Sequence, residues 1–242
     1  MRTVRIFQVG LYQPGQQLQL TPEASHHVGQ VLRMQIGDSL TLFCGDNQEF
    51  SARIYALQKK QVVVQIESST EVDRESPLNI HLAQAISKGD RMDFVMQKAV
   101  ELGVTSISPI ISQHCAVRLN TEKSEKKVHL WQVIAIAACE QSGRNCVPQV
   151  HNAMTFDSYI KDCEGELKLI LNPEATKSWR DFAIKKQPIQ LLVGPEGGFS
   201  LEETTMALAQ GFQSISLGPR ILRTETAAIS MISILQALGG DL

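Results

Sequence analysis

Three segments in the second half of the chain have the make-up of ligand-binding loops. Gly194-Pro195-Glu196-Gly197-Gly198 follows the apolar run Leu191-Leu192-Val193, and Gly218-Pro219-Arg220 follows Ile215-Ser216-Leu217. Leu171-Asn172-Pro173-Glu174 follows a third apolar run, ELKLILN. Each reads as a strand ending in a tight turn, and in parallel α/β folds ligands bind at the loops leaving the carboxyl ends of strands. Glycine lacks a Cβ, so the backbone can turn sharply and approach a ligand closely, while proline stiffens the turn. Arg220 and Arg223 beside these loops carry planar donor forks suited to a phosphate or an oxyanion, although a surface arginine at a helix start reads equally well. Glu225 falls in the first turn of a following helix, where the dipole favours a carboxylate. These residues describe a pocket close to the backbone and name no ligand.

Two further clusters carry charge. Ser87-Lys88-Gly89-Asp90-Arg91 places two cations in a strand-to-helix loop, and Glu140-Gln141-Ser142-Gly143-Arg144 closes a long helix. The chain has no G-x-G-x-x-G, no G-x-x-x-x-G-K-[ST], no G-x-S-x-G and no H-E-x-x-H. A dinucleotide fold, a P-loop and the common hydrolase motifs are therefore disfavoured.

The elements that must hold these loops fall into two regions, residues 1–72 and 73–242. In the first, VGQVLRM, DSLTLFCG, QEFSARIYAL and KQVVVQIES are short β-rich runs separated by turn signals at Ile36-Gly37-Asp38, Gly45-Asp46-Asn47 and Gln58-Lys59-Lys60. Such spacing predicts a small barrel. Thr21-Pro22 starts a short helix, with Thr21 as cap and Pro22 at the first helical position. The polar stretch Ser68–Pro77 marks the boundary. Beyond it, NIHLAQAI, TSISPII, ELKLILN, QLLVG and SISLG read as strands buried on both faces. Helices are expected at about 90–102, 122–141, 176–186, 200–210 and 224–238. Ser200 with Glu203 makes a capping box, Gly211 closes that helix, and Thr224 caps the last. Alternating strands and helices predict a parallel sheet covered on both sides.

Composition excludes several classes. The chain has 242 residues, a net charge of −2 and a pI near 6.3, which argues against a protein that coats nucleic acid without specificity. No apolar run of about 18 residues predicts a membrane span, and the N-terminus lacks the pattern of a signal peptide. Five scattered cysteines without a C-x-x-C predict free thiols in a cytoplasmic protein and no metal site.

The motifs KGDRMDFVMQKAVELGV, IAACEQSGRNCVP, LLVGPEGGFS and LGPRILRTETAA, in this order, resemble those of the RsmE family, SPOUT-class enzymes that use S-adenosylmethionine to methylate the N3 atom of a uridine in 16S ribosomal RNA. Gln30-Val31-Leu32-Arg33-Met34 matches the family's patterning in a PUA-like RNA-binding barrel. The resemblance implies a deep trefoil knot in the C-terminal domain, a feature that runs against the general rule that chains do not thread loops. It also implies a homodimer, with RNA of the small ribosomal subunit as partner. It carries cofactor contacts to Leu171, Gly194, Gly197, Leu217, Gly218, Leu222, Thr224 and Ala227. At Ser112-Gln113-His114-Cys115 the chain departs from the family's Ser-Glu-Arg, so that loop receives no catalytic role.

The implied chemistry sets demands on the site. Uridine N3 carries a proton that must leave, so a base or a cation beside the ring carbonyls helps. Arg223 is the first candidate to stabilise the developing negative charge, with Glu140 and Arg144 next for substrate positioning or proton removal. Arg2, Arg5, Arg33, Lys88, Arg91 and Arg220 are the expected RNA contacts. Three rival readings stand beside this one: a SPOUT enzyme acting on a ribose hydroxyl or another RNA, a non-catalytic RNA-binding assembly factor, and a metabolite-binding α/β protein unrelated to RNA, against which the expected barrel counts.

Overall fold

The computed structural model describes residues 4–58, 61–115 and 121–242. Its contacts divide the chain into two units, Met1–Glu75 with Cys139–Val147, and Ser76–Ala138 with Pro148–Leu242. The first unit therefore extends past residue 72 and recruits a non-contiguous segment, Cys139–Val147. Side-chain bonds explain the recruitment: Asn145 Nδ2 donates to the Val72 carbonyl at 2.7 Å, and Arg74 Nη1 donates to the Gly143 carbonyl at 2.9 Å.

The first unit is a five-stranded sheet of β1 (Val4–Phe7), β2 (Gln17–Gln19), β3 (Ser39–Phe43), β4 (Gln48–Gln58) and β5 (Gln61–Glu71), in the order β1-β3-β4-β5-β2. Period-two alternation buries Phe50, Ala52 and Ile54 of β4 against Leu40 and Leu42 of β3 and Val62, Val64 and Ile66 of β5. Each of the larger of these side chains contributes roughly 1.5–3 kcal/mol through burial. Helix α1 (Pro22–His26) starts as its sequence dictates, with Thr21 Oγ1 accepting from Ala24 N–H and Pro22 in the first turn. The expected strand at 28–34 is instead a π-helical segment, His27–Val31. Val28 and Met34 are buried there while Val31 and Leu32 are exposed. That spacing matches no period-two face, so the chain prolongs the helical path of α1.

The second unit holds a parallel sheet. In chain order it comprises β6 (Ile80–Ala85), α2 (Arg91–Glu101), β7 (Ser106–Ile111), α3 (Thr121–Ser142, whose residues from Cys139 on belong to the first unit), β8 (Gln149–Val150), β9 (Met154–Thr155) and α4 (Phe156–Asp162). Then follow β10 (Leu167–Leu171), β11 (Ile189–Val193), α5 (Leu201–Ala209), β12 (Gln213–Ile215) and α6 (Thr224–Gly239). The strand order is β12-β10-β11-β6-β7-β8, with β9 also pairing β7. Strands β6, β10 and β11 are buried at nearly every position, as strands covered on both faces must be.

Helix α5 carries the reciprocal Ser200–Glu203 capping box, and Gly211 beyond its end has φ +84°. The expected helix at 176–186 is absent; one 3₁₀ turn, Trp179–Asp181, takes its place. Its backbone is committed elsewhere, since Ser178 bridges Ser216 beside β12 and the chain is extended at Phe182. No described helix is long and apolar enough to cross a membrane.

Candidate active site

The register of the sheet brings three loops together. Leu171 pairs with Ile215 across β10 and β12, and Val193 pairs with Gln84 across β11 and β6, so the carboxyl ends of four strands lie side by side. The loops leaving β10, β11 and β12 enclose a cleft of about 350 Å³, within the size range of small-molecule sites. Leu171, Gly194, Leu217, Gly218, Leu222, Thr224 and Ala227 all line it, as do Arg220, Arg223 and Arg91.

Gly194, Gly198 and Gly218 are among its lining residues. A Cβ added to Gly194 would sit 3.3 Å from the Phe199 nitrogen, so the glycine lets two stretches of one loop pack together. Gly218 has φ +121°, a conformation that side chains strongly disfavour.

Thr224 was expected to cap α6. It is instead the first helical residue, with Arg223 at the N-cap position making no side-chain cap bond. The Thr224 hydroxyl is used otherwise: it donates to the Gly194 carbonyl at 2.6 Å and accepts from Gln84 Nε2 at 2.9 Å. Gln84 is fully buried, and its Oε1 has no hydrogen-bond partner among the described residues. Gln84 is a polar residue in the run NIHLAQAI, and nothing in the sequence said what it met.

A second cleft, about 610 Å³, is lined by Lys88, Asp90, Arg91, His114, Glu196 and Gly197. Arg91 and Glu196 also line the first cleft. Glu196 Oε1 accepts from Arg91 Nη1 at 2.6 Å and from Lys88 N–H at 3.2 Å. Burial by itself would raise the Glu196 carboxyl, but the N–H groups of Glu196 and Lys88 and the Arg91 guanidinium outweigh it and hold it below its ordinary value. The Arg91–Glu196 pair is part-exposed, at 40% and 30% for the two side chains, so it orders the loop more than it stabilises the fold.

Gly197 was expected at the cofactor, yet it faces this second cleft. A Cβ there would meet the His114 Cβ at 3.1 Å. His114 Nδ1 lies 3.2 Å from the Gly198 carbonyl. A carbonyl only accepts, so Nδ1 is the donor in this bond. The His114 loop, set aside in the sequence for its departure from the family pattern, thus forms part of the site.

The remaining candidates lie in the first unit. Glu140 Oε1 accepts from Phe7 N–H at 3.0 Å, and burial pushes its carboxyl above the ordinary range. Arg144 is buried and forked onto Glu75, with Nε at 3.2 and 3.1 Å from the two carboxylate oxygens and Nη2 bonded to Oε2. Arg5 binds Glu49 Oε1 at 2.5 Å and Asn145 Oδ1 at 2.6 Å, and covers the Phe43 ring at 4.7 Å. Its side chain is 8% exposed, so Nη1 and Nη2 are spent inside the unit, and the buried Nε, which has no hydrogen-bond partner among the described residues, is shielded from solvent as well. Glu140, Arg144 and Arg5, expected in chemistry or RNA contact, thus each bond to groups of their own unit. Arg33 is exposed, in the left-handed conformation at φ +54°. Arg2 lies outside the described residues.

Comparison with known proteins decides what this arrangement belongs to. Residues 74–236 match the model of an RNA methyltransferase domain, and residues 20–67 match that of an RNA methyltransferase PUA domain. A ribosomal RNA small subunit methyltransferase E of Buchnera aphidicola is 38% identical over 242 residues, covering 100% of this chain and 98% of the relative. The chain belongs to the RNA methyltransferase family of the small ribosomal subunit. Two solved members share its fold end to end, each alignment covering 100% of both chains. A putative methyltransferase from Legionella pneumophila, in complex with the bound cofactor SAM, is 55% identical with a TM-score of 0.98. A ribosomal RNA small subunit methyltransferase E from Neisseria gonorrhoeae, bound to S-adenosyl methionine, is 40% identical with a TM-score of 0.91. The methyltransferase match thus overlies the parallel-sheet region, and the PUA match lies within the five-stranded unit.

Proposed function

We propose that this chain methylates the N3 atom of a specific uridine in 16S ribosomal RNA, using S-adenosylmethionine. The observation that carries the reading is the glycine-walled cleft at the strand ends, in a chain of this family. Its residues suit the cofactor: Leu171, Leu217, Leu222 and Ala227 offer apolar surface, and Gly194 and Gly218 leave backbone uncovered. Bound there, the cofactor supplies an activated methyl group on a sulfonium. The protein has to hold the base in line, which is worth part of the roughly 7–11 kcal/mol available from orientation, and offset the charge that develops as N3 loses its proton. Arg223, exposed at the start of α6 and lining the cleft, is suited to the second task. Lys88, Arg91, Arg220 and Arg33 supply cations for RNA, and the target base must leave its stack to reach them.

The same reading includes a trefoil-knotted path through the cofactor loops and a cytoplasmic homodimer with RNA lying across both subunits. The test is transfer of labelled methyl from S-adenosylmethionine to purified small subunits that lack the modification, followed by digestion and mass identification of the nucleoside. Recovery of 3-methyluridine supports the reading. A ribose-methylated product, or tight binding without transfer, rejects it.

A further inference from the structure

We infer that the charged cleft beside the cofactor cleft seats the uracil ring, and that Glu196 reads its N3–H. The inference rests on the base-methylation reading above and specifies where the acceptor lies. Methyl transfer needs two ligands in contact, so the base must occupy a space that opens onto the cofactor cleft. The charged cleft meets that need: Arg91 and Glu196 are the lining residues common to both. The atom to be methylated must lie at that junction, and Glu196 is the acceptor found there.

The chemistry at the junction matches one base. The imide edge of uracil presents acceptor, donor, acceptor: O4, N3–H and O2. Its complement is an acceptor flanked by donors. Glu196 is a carboxylate held ionised between Arg91 and Lys88. Two donors fall on its Oε1, and a carboxylate has about four lone-pair positions, so capacity remains for N3–H. One of the five N–H donors of Arg91 is used on Glu196, leaving others for a ring carbonyl. The Lys88 ammonium has no described partner and lines the same cleft.

Cytosine fails at this edge. Its N3 is a lone pair that faces the carboxylate, and a site built to bond a donor rejects a ligand lacking it. His114 lines the charged cleft and not the first one, which puts its ring on the side where the ribose would lie.

The probe is uridine 5′-monophosphate on the full chain without cofactor, followed by amide chemical-shift changes in NMR titrations. The controls are cytidine and N3-methyluridine monophosphates. Shifts should concentrate at Lys88, Arg91, His114, Glu196 and Gly197, with uridine binding about tenfold tighter than either control, the worth of one bond to a charged group. Glu196→Gln should flatten that preference, and His114→Ala should keep it while weakening all three nucleotides. Absence of shifts in this cleft at millimolar nucleotide, equal affinity for the three, or a preference surviving in Glu196→Gln would each overturn the inference. The titration involves no methyl transfer, so its failure is distinct from failure of the proposed reaction, which the digest of methylated subunits reads.

Discussion

The Thr224 hydroxyl donates to the Gly194 carbonyl at 2.6 Å, tying the first residue of α6 to the loop that leaves β11. Gln84 at the end of β6 completes the link by donating to the same hydroxyl. Three segments far apart in sequence are thereby fixed around one cleft.

Thr224→Val keeps the shape of the side chain and removes both bonds. It leaves the Gly194 carbonyl and one N–H of the Gln84 amide without their partner, at about 1–3 kcal/mol each, while the other N–H keeps its bond to the Ala85 carbonyl. The expected outcome is a lower urea midpoint and cofactor affinity reduced about tenfold by calorimetry. Thr224→Ser retains the hydroxyl and should restore most of the affinity.

Gly194 and Gly197 should separate. Gly194→Ala drives a Cβ against backbone of the same loop at 3.3 Å and should weaken cofactor binding about tenfold or more. Gly197→Ala presses on His114 in the neighbouring cleft. It should change KM for the RNA substrate while the cofactor Kd stays within about twofold. Calorimetry with S-adenosylmethionine, beside steady-state kinetics on small subunits, checks both.

Arg5→Ala should act on stability and leave the cofactor site unaffected. The substitution strands Asn145 Oδ1 and removes one of two cations from Glu49 Oε1. Losing one partner of such a buried pair costs about 3–5 kcal/mol, less here because Arg74 remains on the carboxylate. Urea denaturation measures the loss. Cofactor affinity should stay within about twofold, since the arginine shares no partner with the cleft.

His81 gives the fold a pH dependence. Burial, reinforced by neighbouring His151, depresses its pKa from 6.5 to about 4, and its Nδ1 lies 2.7 Å from Ser106 Oγ. Above pH 6.5 the ring is neutral in folded and unfolded chains alike, and the full stability is present. As pH falls below 6.5 the unfolded chain takes a proton that the folded chain refuses until about pH 4. Stability therefore drops across that window, by about 2–3 kcal/mol in total. His81→Gln removes this contribution, so the stability difference between wild type and variant should shift in the variant's favour between pH 7 and pH 4 in urea titrations.

The sequence by itself determined the layered architecture and the three loops. Buried strands such as LKLIL and QLLVG announce themselves by continuous apolarity, since helices cover both faces of the sheet. Ser200 and Glu203 cap α5 through bonds three residues apart, so local chemistry sufficed to place that helix. Where partners are distant in sequence, the reading failed. The segment at 176–186 has helical composition, but its backbone pairs with Ser216 beyond β12. Thr224 looked like a cap because its neighbours suit one, while its hydroxyl serves Gly194, thirty residues away. Arg5 read as a cation for RNA and Arg144 as a group for substrate positioning or proton removal, and only the tertiary structure set Glu49, Asn145 and Glu75 around them. Burial and hydrogen-bond partners depend on which strand lies beside which, and local propensity carries no record of that order.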